Sequence, residues 1–407
     1  MKVLQICSHF SIDYHGGITK YVKSLTMSLK DKGIDFGVVS GGGQDSLDQV
    51  DFFHYISNKV RPYSVGTQYD DQPIDDLLDY IKNIDYDLIH IHATGDFPLK
   101  FYDKLRELNI KYIVSLHDYY FICPRVFMID KDEKICHTVD PNKCKSCIGL
   151  LESTDFLFRV SRKLRKNYGI KLPNISSNVS INRLKIMKKF LSNAALLLPV
   201  STKVQDIYTS ICPRGNFQVL HIGNDTAKQL AVPRTKSEKI RLTFMGALNK
   251  HKGQDELEYL AKHLSQKFEI HYYGGSSGDE LSHLTEYGVE FHGRYTPQDL
   301  EQIIGNTDIG LVLPIWEDNA PQVVMEFLNL GRIVVGTKRG GIPDFVKHLK
   351  NGYLFDPDSE AEKNDLLLWL EAITHEKLDL MQQDIQKLKT PATHADEIYS
   401  IYKNVIK

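Results

Sequence analysis

Short apolar runs of strand size alternate with amphipathic segments along almost the whole of this chain, and the pattern occurs twice. Strand-sized runs separated by helical stretches imply parallel strands joined by crossover helices, because parallel neighbours cannot be joined by a tight turn. The first half carries such runs at Lys2 to Cys7, Phe36 to Ser40, Leu88 to His92, Tyr112 to Leu116, Leu196 to Val200 and Phe217 to His221. The second half carries them at Arg241 to Met245, Glu269 to Tyr273, Val289 to His292, Ile309 to Leu313 and Ile333 to Gly336. Two open α/β sheets are expected. At 407 residues the chain is also too long for one ordinary core and suits two domains.

The polar stretch Asn224 to Lys239, with Pro233 inside it and no clear period, reads as the interdomain linker. The expected division is residues 1–225, residues 238–390, and a C-terminal helix over 391–407 that packs back on the first domain. In open parallel sheets ligands bind beyond the carboxyl ends of the strands, so the chemistry is expected in a cleft where two such domains face each other. A formal net charge of -2 argues against a nucleic-acid binder, which needs a cationic face to neutralise phosphates. The start, MKVLQICSHF, reads as a first strand and not a signal peptide, and no apolar run reaches the length of about 18 residues that a membrane span requires. A soluble, cytoplasmic protein is expected, with its six cysteines as thiols or metal ligands.

The run PIWEDNAPQVVMEFLNLGRIVVGTKRGGIPDFVKHLKNGYLFDP, Pro314 to Pro357, resembles the donor-binding region of family-four glycosyltransferases. Four further stretches match the same family in order: HGGITKYVKSL from His15, DLIHIH from Asp87, HDYYFICPR from His117 and MGALNKHKG from Met245. The resemblance implies the GT-B fold, two facing Rossmann-like domains of α/β class, and transfer of a sugar with retention from a nucleotide diphosphate sugar. It implies a metal-independent reaction and a glycan or lipid-linked glycan acceptor, in a pathway such as bacterial surface polysaccharide or lipopolysaccharide synthesis. A same-architecture epimerase or phosphorylase, or a degenerate sugar-nucleotide-binding protein, stands as the alternative.

The residues support this reading on their own chemistry. Asn319 can cap a helix and Pro321 fits a first turn, so a helix N-terminus should point its unpaired amides at a phosphate or hydroxyl. By resemblance Glu326 grips the ribose and Asp318 contacts the donor sugar, with Glu317 one position out of register. Lys252 would neutralise the leaving diphosphate. Ala247 stands where the family has an arginine, and Lys250 is the candidate substitute. Gly16 and Gly17 lie where strand one passes into helix one, a phosphate-approaching turn, and Gly340 and Gly341 allow close backbone approach. Gly293, Arg294, Ala320 and Gln322 complete the expected donor contacts. His117 ends a strand and by resemblance faces the donor sugar, whereas His90 and His92 alternate on a strand and read as a structural pair, one on each face.

Two features fall outside the donor site. Cys123, Cys136, Cys144 and Cys147 supply enough ligands for a structural zinc ion, with free thiols or a redox disulfide as the other readings. Residues 156–205 contain no acid and eleven cations, interleaved with Phe156, Leu157, Phe158, Val160 and Leu164. That pattern suits either an amphipathic helix on an anionic membrane surface, with the protein peripheral on its inner face, or a solvated basic face. Asp130, Asp132, Asp356 and Asp358 form two D-x-D pairs in loops, and no metal is assigned to either.

Overall fold

The computed structural model describes residues 1–10, 17–42, 51–54, 69, 73–92, 94–95, 97–173, 175–275 and 284–407. They form two compact units, Met1–Leu220 with His394–Lys407, and His221–Thr393.

The first unit contains the strands β1 (Lys2–His9), β2 (Asp35–Gly42), β3 (Asp51–His54), β4 (Leu88–Ile91), β5 (Tyr112–Leu116) and β6 (Leu196–Pro199). Their order is β3-β2-β1-β4-β5-β6, parallel throughout. Every residue of β4 and β5 is buried, as a sheet covered on both faces requires. The helix Pro391–Ile406 belongs to this core: Ala395, Ile398, Ile401 and Tyr402 pack with Val3, Leu88, Ile113 and Leu198. Lys111 Nζ donates to the carbonyls of Val405 and Ile406 at its end, a cation at a helix C-terminus.

The second unit contains β7 (Ile240–Met245), β8 (Phe268–Tyr273), β9 (Val289–Gly293), β10 (Ile309–Val312), β11 (Ile333–Thr337) and β12 (Gly352–Phe355). Their order is β12-β11-β10-β7-β8-β9, again parallel. Counted from its own first strand, this is the arrangement of the first unit repeated, the doubly wound order in which the direction of winding reverses beside the first strand. In each sheet the reversal lies between the first strand and the fourth: β1 and β4 in one, β7 and β10 in the other.

Four expectations differ from the structure. Phe217 to His221 is not a strand; it runs beside β6 with a single isolated bridge, Leu197 to Phe217. The short strands β3 and β12 were not expected. Residues 224–239 are not a free linker: Val232 N–H donates to Leu330 O at 3.1 Å and Thr235 N–H to Gly305 O at 2.9 Å, which fastens the segment to the second unit. His90 and His92 do not lie on opposite faces; residues two apart on a strand share a face, and their ring centroids are 4.0 Å apart.

Candidate functional site

In the second unit the winding reverses between β7 and β10, and the loops leaving these two strands meet there. Gly253 makes the meeting possible: at φ +95° it takes a left-handed conformation, and a Cβ on it would lie 2.0 Å from Leu313 O. The turn Lys250–Lys252 is closed by the Asn249 side chain, which accepts from Lys252 N–H at 3.0 Å, and His251 O accepts from Ile315 N–H at 3.1 Å. Lys252 Nζ thereby reaches Asp318 Oδ2 at 2.6 Å and sits 5.2 Å from the Trp316 ring centroid. Lys250 is exposed in the same turn, and the Asp318 contact is made by Lys252.

The neighbouring acids Glu317 and Asp318 have separate tasks. Glu317 is buried and its Oε2 accepts from Gly340 N–H at 2.8 Å. Asp318 O accepts from Gly341 N–H at 2.8 Å, while its carboxylate turns to Lys252. Gly340, at φ +52°, packs so closely that a Cβ would lie 1.7 Å from Asp318 O. The GG turn is therefore a clamp on the backbone that aims Asp318.

Asn319 does not cap the helix. The helix runs Gln322–Asn329 with Pro321 at its N-cap and no side-chain cap bond, because a residue before proline is pushed out of helical geometry and Ala320 cannot begin one. Val324 N–H donates to Pro321 O at 3.2 Å, and with no side chain capping the turn the amides of Gln322 and Val323 are left for a ligand or solvent. Asn319 is instead 6% exposed, and among the described residues its Oδ1 has no hydrogen-bond partner. Gln322 Oε1 accepts from Asn224 Nδ2 at 2.8 Å. Glu326 lies one turn further along; burial, with Glu326 beside it, pushes the Tyr295 hydroxyl above its usual range. Gly293 ends β9, where its carbonyl accepts from Gly274 N–H at 2.8 Å, and Arg294 follows it at the surface.

In the first unit His117 follows β5 directly. Its Nε2 lies 3.3 Å from His92 Nδ1, and its ring is 4.6 Å from that of Tyr21. His92 Nε2 is 2.6 Å from Gln5 Oε1, Gln5 Nε2 donates to Tyr402 Oη at 3.1 Å, Tyr402 Oη meets His90 Nδ1 at 2.7 Å, and His90 Nε2 meets Ser115 Oγ at 2.8 Å. One set of protons satisfies every link. Gln5 Oε1 only accepts, so His92 carries its proton on Nε2 and accepts on Nδ1; His117 then donates from Nε2 and keeps an acceptor lone pair on Nδ1. Burial holds His90 and His92 well below the usual imidazole range and, with His394 nearby, brings His117 down to about 3. His394 bonds Tyr21 Oη at 2.8 Å. Asp118 is raised to about 6 by burial. Tyr21, Gln5, His394 and Tyr402 gave no signal in sequence, since only the fold gathers them. Gly17 opens the exposed start of the helix Gly17–Lys30; Gly16 lies outside the described residues.

The four cysteines Cys123, Cys136, Cys144 and Cys147 are unbridged and line one cavity of about 30 Å³. Arg125 Nε donates to Cys147 Sγ at 3.2 Å and Lys143 Nζ to Cys136 Sγ at 3.3 Å. Among the described residues, the set of metal-ligating atoms found within 4.8 Å of one another is a different one, His271, Glu290 and His292. The D-x-D carboxylates are held by cations, Asp130 by Lys143, and Asp356 and Asp358 by Arg339. The basic segment forms the helices Asp155–Tyr168 and Val179–Ser192. Arg183 is not part of its surface: it is buried, its guanidinium donating to the carbonyls of Tyr120 and Phe121. Phe156 and Tyr168 are 71% and 70% exposed, so apolar side chains do stand among the outward cations of the first helix. Among the described residues no helix is long and apolar enough to cross a membrane.

The family model described as Glycosyltransferase Family 4 matches residues 15–228, and that described as Glycosyl transferases group 1 matches residues 225–387. A D-inositol 3-phosphate glycosyltransferase of Corynebacterium jeikeium (strain K411) is 31% identical over 157 residues, 34% of this chain and 36% of that protein, so the match spans about a third of that relative. Among solved structures, Anabaena Alr3699/HepE in complex with UDP and glucose aligns with a TM-score of 0.62 at 14% identity, covering 99% of this chain and 100% of that one. The apo form of the lipopolysaccharide outer core galactosyltransferase WaaB aligns at 0.65 and 12% identity, covering 99% and 100%.

Proposed function

The chain belongs to glycosyltransferase family 4 and has the GT-B fold, and from that premise we propose that it transfers a sugar with retention from a nucleotide diphosphate sugar to a glycan or lipid-linked glycan. The observation that carries the reading is the Lys252 to Asp318 pair at the point where the second sheet reverses its winding. An ammonium there neutralises charge developing on a departing diphosphate, and the uncapped amides of the Gln322–Asn329 helix add fixed donors beside it. With that charge met by Lys252 and backbone amides, the reaction has no need of a divalent ion.

Asp318 holds Lys252 in place and offers its second oxygen to the sugar, Glu326 accepts from the ribose hydroxyls, and the buried Asn319 Oδ1 gains a donor when the sugar binds. In the first unit Gly17, at the start of its helix, has an amide to offer a phosphate. The Nδ1 lone pair of His117 accepts from a sugar hydroxyl. Ala247 leaves Lys252 without a second fixed cation, so Lys252 carries more of the charge than it would beside an arginine.

The acceptor belongs to the first unit. The cations and exposed apolar side chains of the Asp155–Tyr168 helix suit an anionic membrane surface and an acceptor carried on a lipid, which supports a peripheral, cytoplasmic-face role in surface polysaccharide synthesis. UDP, found with Alr3699/HepE, is the first donor nucleotide to try.

The test is a panel of UDP-, GDP- and ADP-sugars, followed by thermal shift and sugar release with and without EDTA, on wild type, Glu326→Ala and Lys252→Gln. One nucleotide series should stabilise the wild type, lose its effect in Glu326→Ala, and release sugar whether or not EDTA is present. Lys252→Gln should bind and turn over roughly 10² to 10³ times more slowly. Stabilisation without sugar release would favour the degenerate binding protein, and no response to any nucleotide would sink the transferase reading.

A further inference from the structure

A second cluster of ligand atoms lies away from the Lys252 to Asp318 pair, on β8 and β9. The parallel pairing sets His271 opposite Glu290, and then the register slips: Tyr272 faces Phe291 but Tyr273 faces Gly293, leaving His292 as the inserted residue. A bulge re-aims the side chain it inserts. Here it brings His292 Nε2 to 3.0 Å from His271 Nδ1, with Glu290 Oε2 3.4 Å from His271 Nδ1 and 3.9 Å from His292 Nε2. In a tetrahedral zinc site with bonds of about 2.0–2.1 Å, adjacent ligand atoms stand about 3.3–3.4 Å apart. The three observed separations bracket that value.

We propose that His271, Glu290 and His292 bind a divalent transition-metal ion of the zinc class through two imidazole nitrogens and one carboxylate oxygen, with a fourth position open to water. Two imidazoles and a carboxylate suit zinc, nickel or copper, whereas calcium and magnesium demand oxygen ligands throughout. Burial lowers His271, which favours the neutral ring that a metal requires. With Nδ1 given to the ion, its proton sits on Nε2, which is buried without a hydrogen-bond partner among the described residues; Glu269 Oε2, 3.8 Å away, is the acid that a small movement would bring to it. The Tyr273 ring stacks on His292 at 4.4 Å and 11°, limiting its rotamers.

In the metal-free protein the 3.0 Å contact is an N–H···N hydrogen bond, so the ion takes the place of a proton. When bound it ties the edge strand β9 to β8 one residue before Gly293 and Arg294. The site goes beyond sugar transfer and does not depend on it.

Both tryptophans, Trp316 and Trp369, lie in the second unit, so their fluorescence follows its unfolding. The full chain, stripped with EDTA and dialysed, should show a saturable rise in Tm with micromolar ZnCl2. Co2+ in place of zinc should give weak d–d bands that His292→Ala removes, whereas a cysteine site would give an intense thiolate-to-metal absorption that this variant leaves unchanged. His292→Ala and Glu290→Gln, both changes at exposed positions, should lose the rise while keeping the metal-free Tm and the response to UDP-sugars of the wild type. A rise of equal size in both variants, a cobalt spectrum that His292→Ala leaves unchanged, or a response confined to millimolar zinc would overturn the proposal. Loss of nucleotide binding alone would bear on the transferase reading and not on this site.

Discussion

Acidification should loosen the first unit, because its polar centre is built from imidazoles buried in the neutral form. His90, His92 and His117 are all held below the ordinary value of 6.5 by burial. A histidine whose folded pKa is depressed contributes stability that is fully present above the unfolded pKa and is lost as pH falls below it. Between pH 7 and about pH 5.5 the loss is set by protonation of the unfolded imidazole, on the order of 1 kcal/mol for each ring and roughly 3–4 kcal/mol for three. Asp118 works the other way: raised to about 6, it takes up a proton over the same window and returns on the order of 1 kcal/mol or less. The net loss, about 3 kcal/mol, is a large share of a typical domain stability of about 5–15 kcal/mol. Hydrogen exchange in β1 and β4 peptides reads the first unit, while tryptophan fluorescence reads the second. Protection in β1 and β4 should fall between the two pH values, and His117→Gln should flatten the dependence by roughly 1 kcal/mol. Equal slopes in wild type and variant, or protection that rises on acidification once intrinsic exchange is corrected, would refute the reasoning.

Three further outcomes can be checked. Gly340→Ala puts a methyl group against Asp318 O and strains a left-handed backbone, so it should cost about 1–3 kcal/mol by chemical denaturation and abolish the nucleotide-induced thermal shift. Reversing Arg162, Lys163 and Lys166 to glutamate together should weaken binding to anionic vesicles by about 1 kcal/mol for each cation removed, measured by co-sedimentation; unchanged sedimentation would return the segment to a plain solvated face. Denatured protein prepared under chelator should titrate six thiols, and a count of four would reveal a disulfide that the structure does not contain.

The strands that stand out most plainly in the sequence lie in the middle of each sheet. In β4, β5, β7 and β10 every residue is buried, so each is mostly apolar and is interrupted only by single polar side chains such as His90, Ser115, Arg241 and Thr243. The two that escaped detection, Asp51–His54 and Gly352–Phe355, are four residues long at the sheet edges, and the first begins with an acid and ends with a histidine. The segment from Phe217 to His221 misleads for the opposite reason: its apolar residues have an inner face to cover, yet only one bridge joins it to β6. Composition likewise cannot separate Arg183 from the cations around it, because its burial depends on two carbonyls that lie about sixty residues earlier.

The donor half is more legible than the rest because local chain carries most of it: strand, turn and helix follow one another from Ile309 to Asn329, and a motif can record them. What the motif could not record is the division between Glu317 and Asp318. That is decided by the Gly340 amide 23 positions later, which claims one carboxylate and thereby frees the other for Lys252, 66 positions earlier. The surroundings of His117 are harder still, since His394 meets Tyr21 across 373 positions and Tyr402 meets His90 across 312. A side chain whose protonation is fixed by partners so distant can be recognised in sequence as belonging to a site, but its role follows only when the fold shows which nitrogen is left to accept.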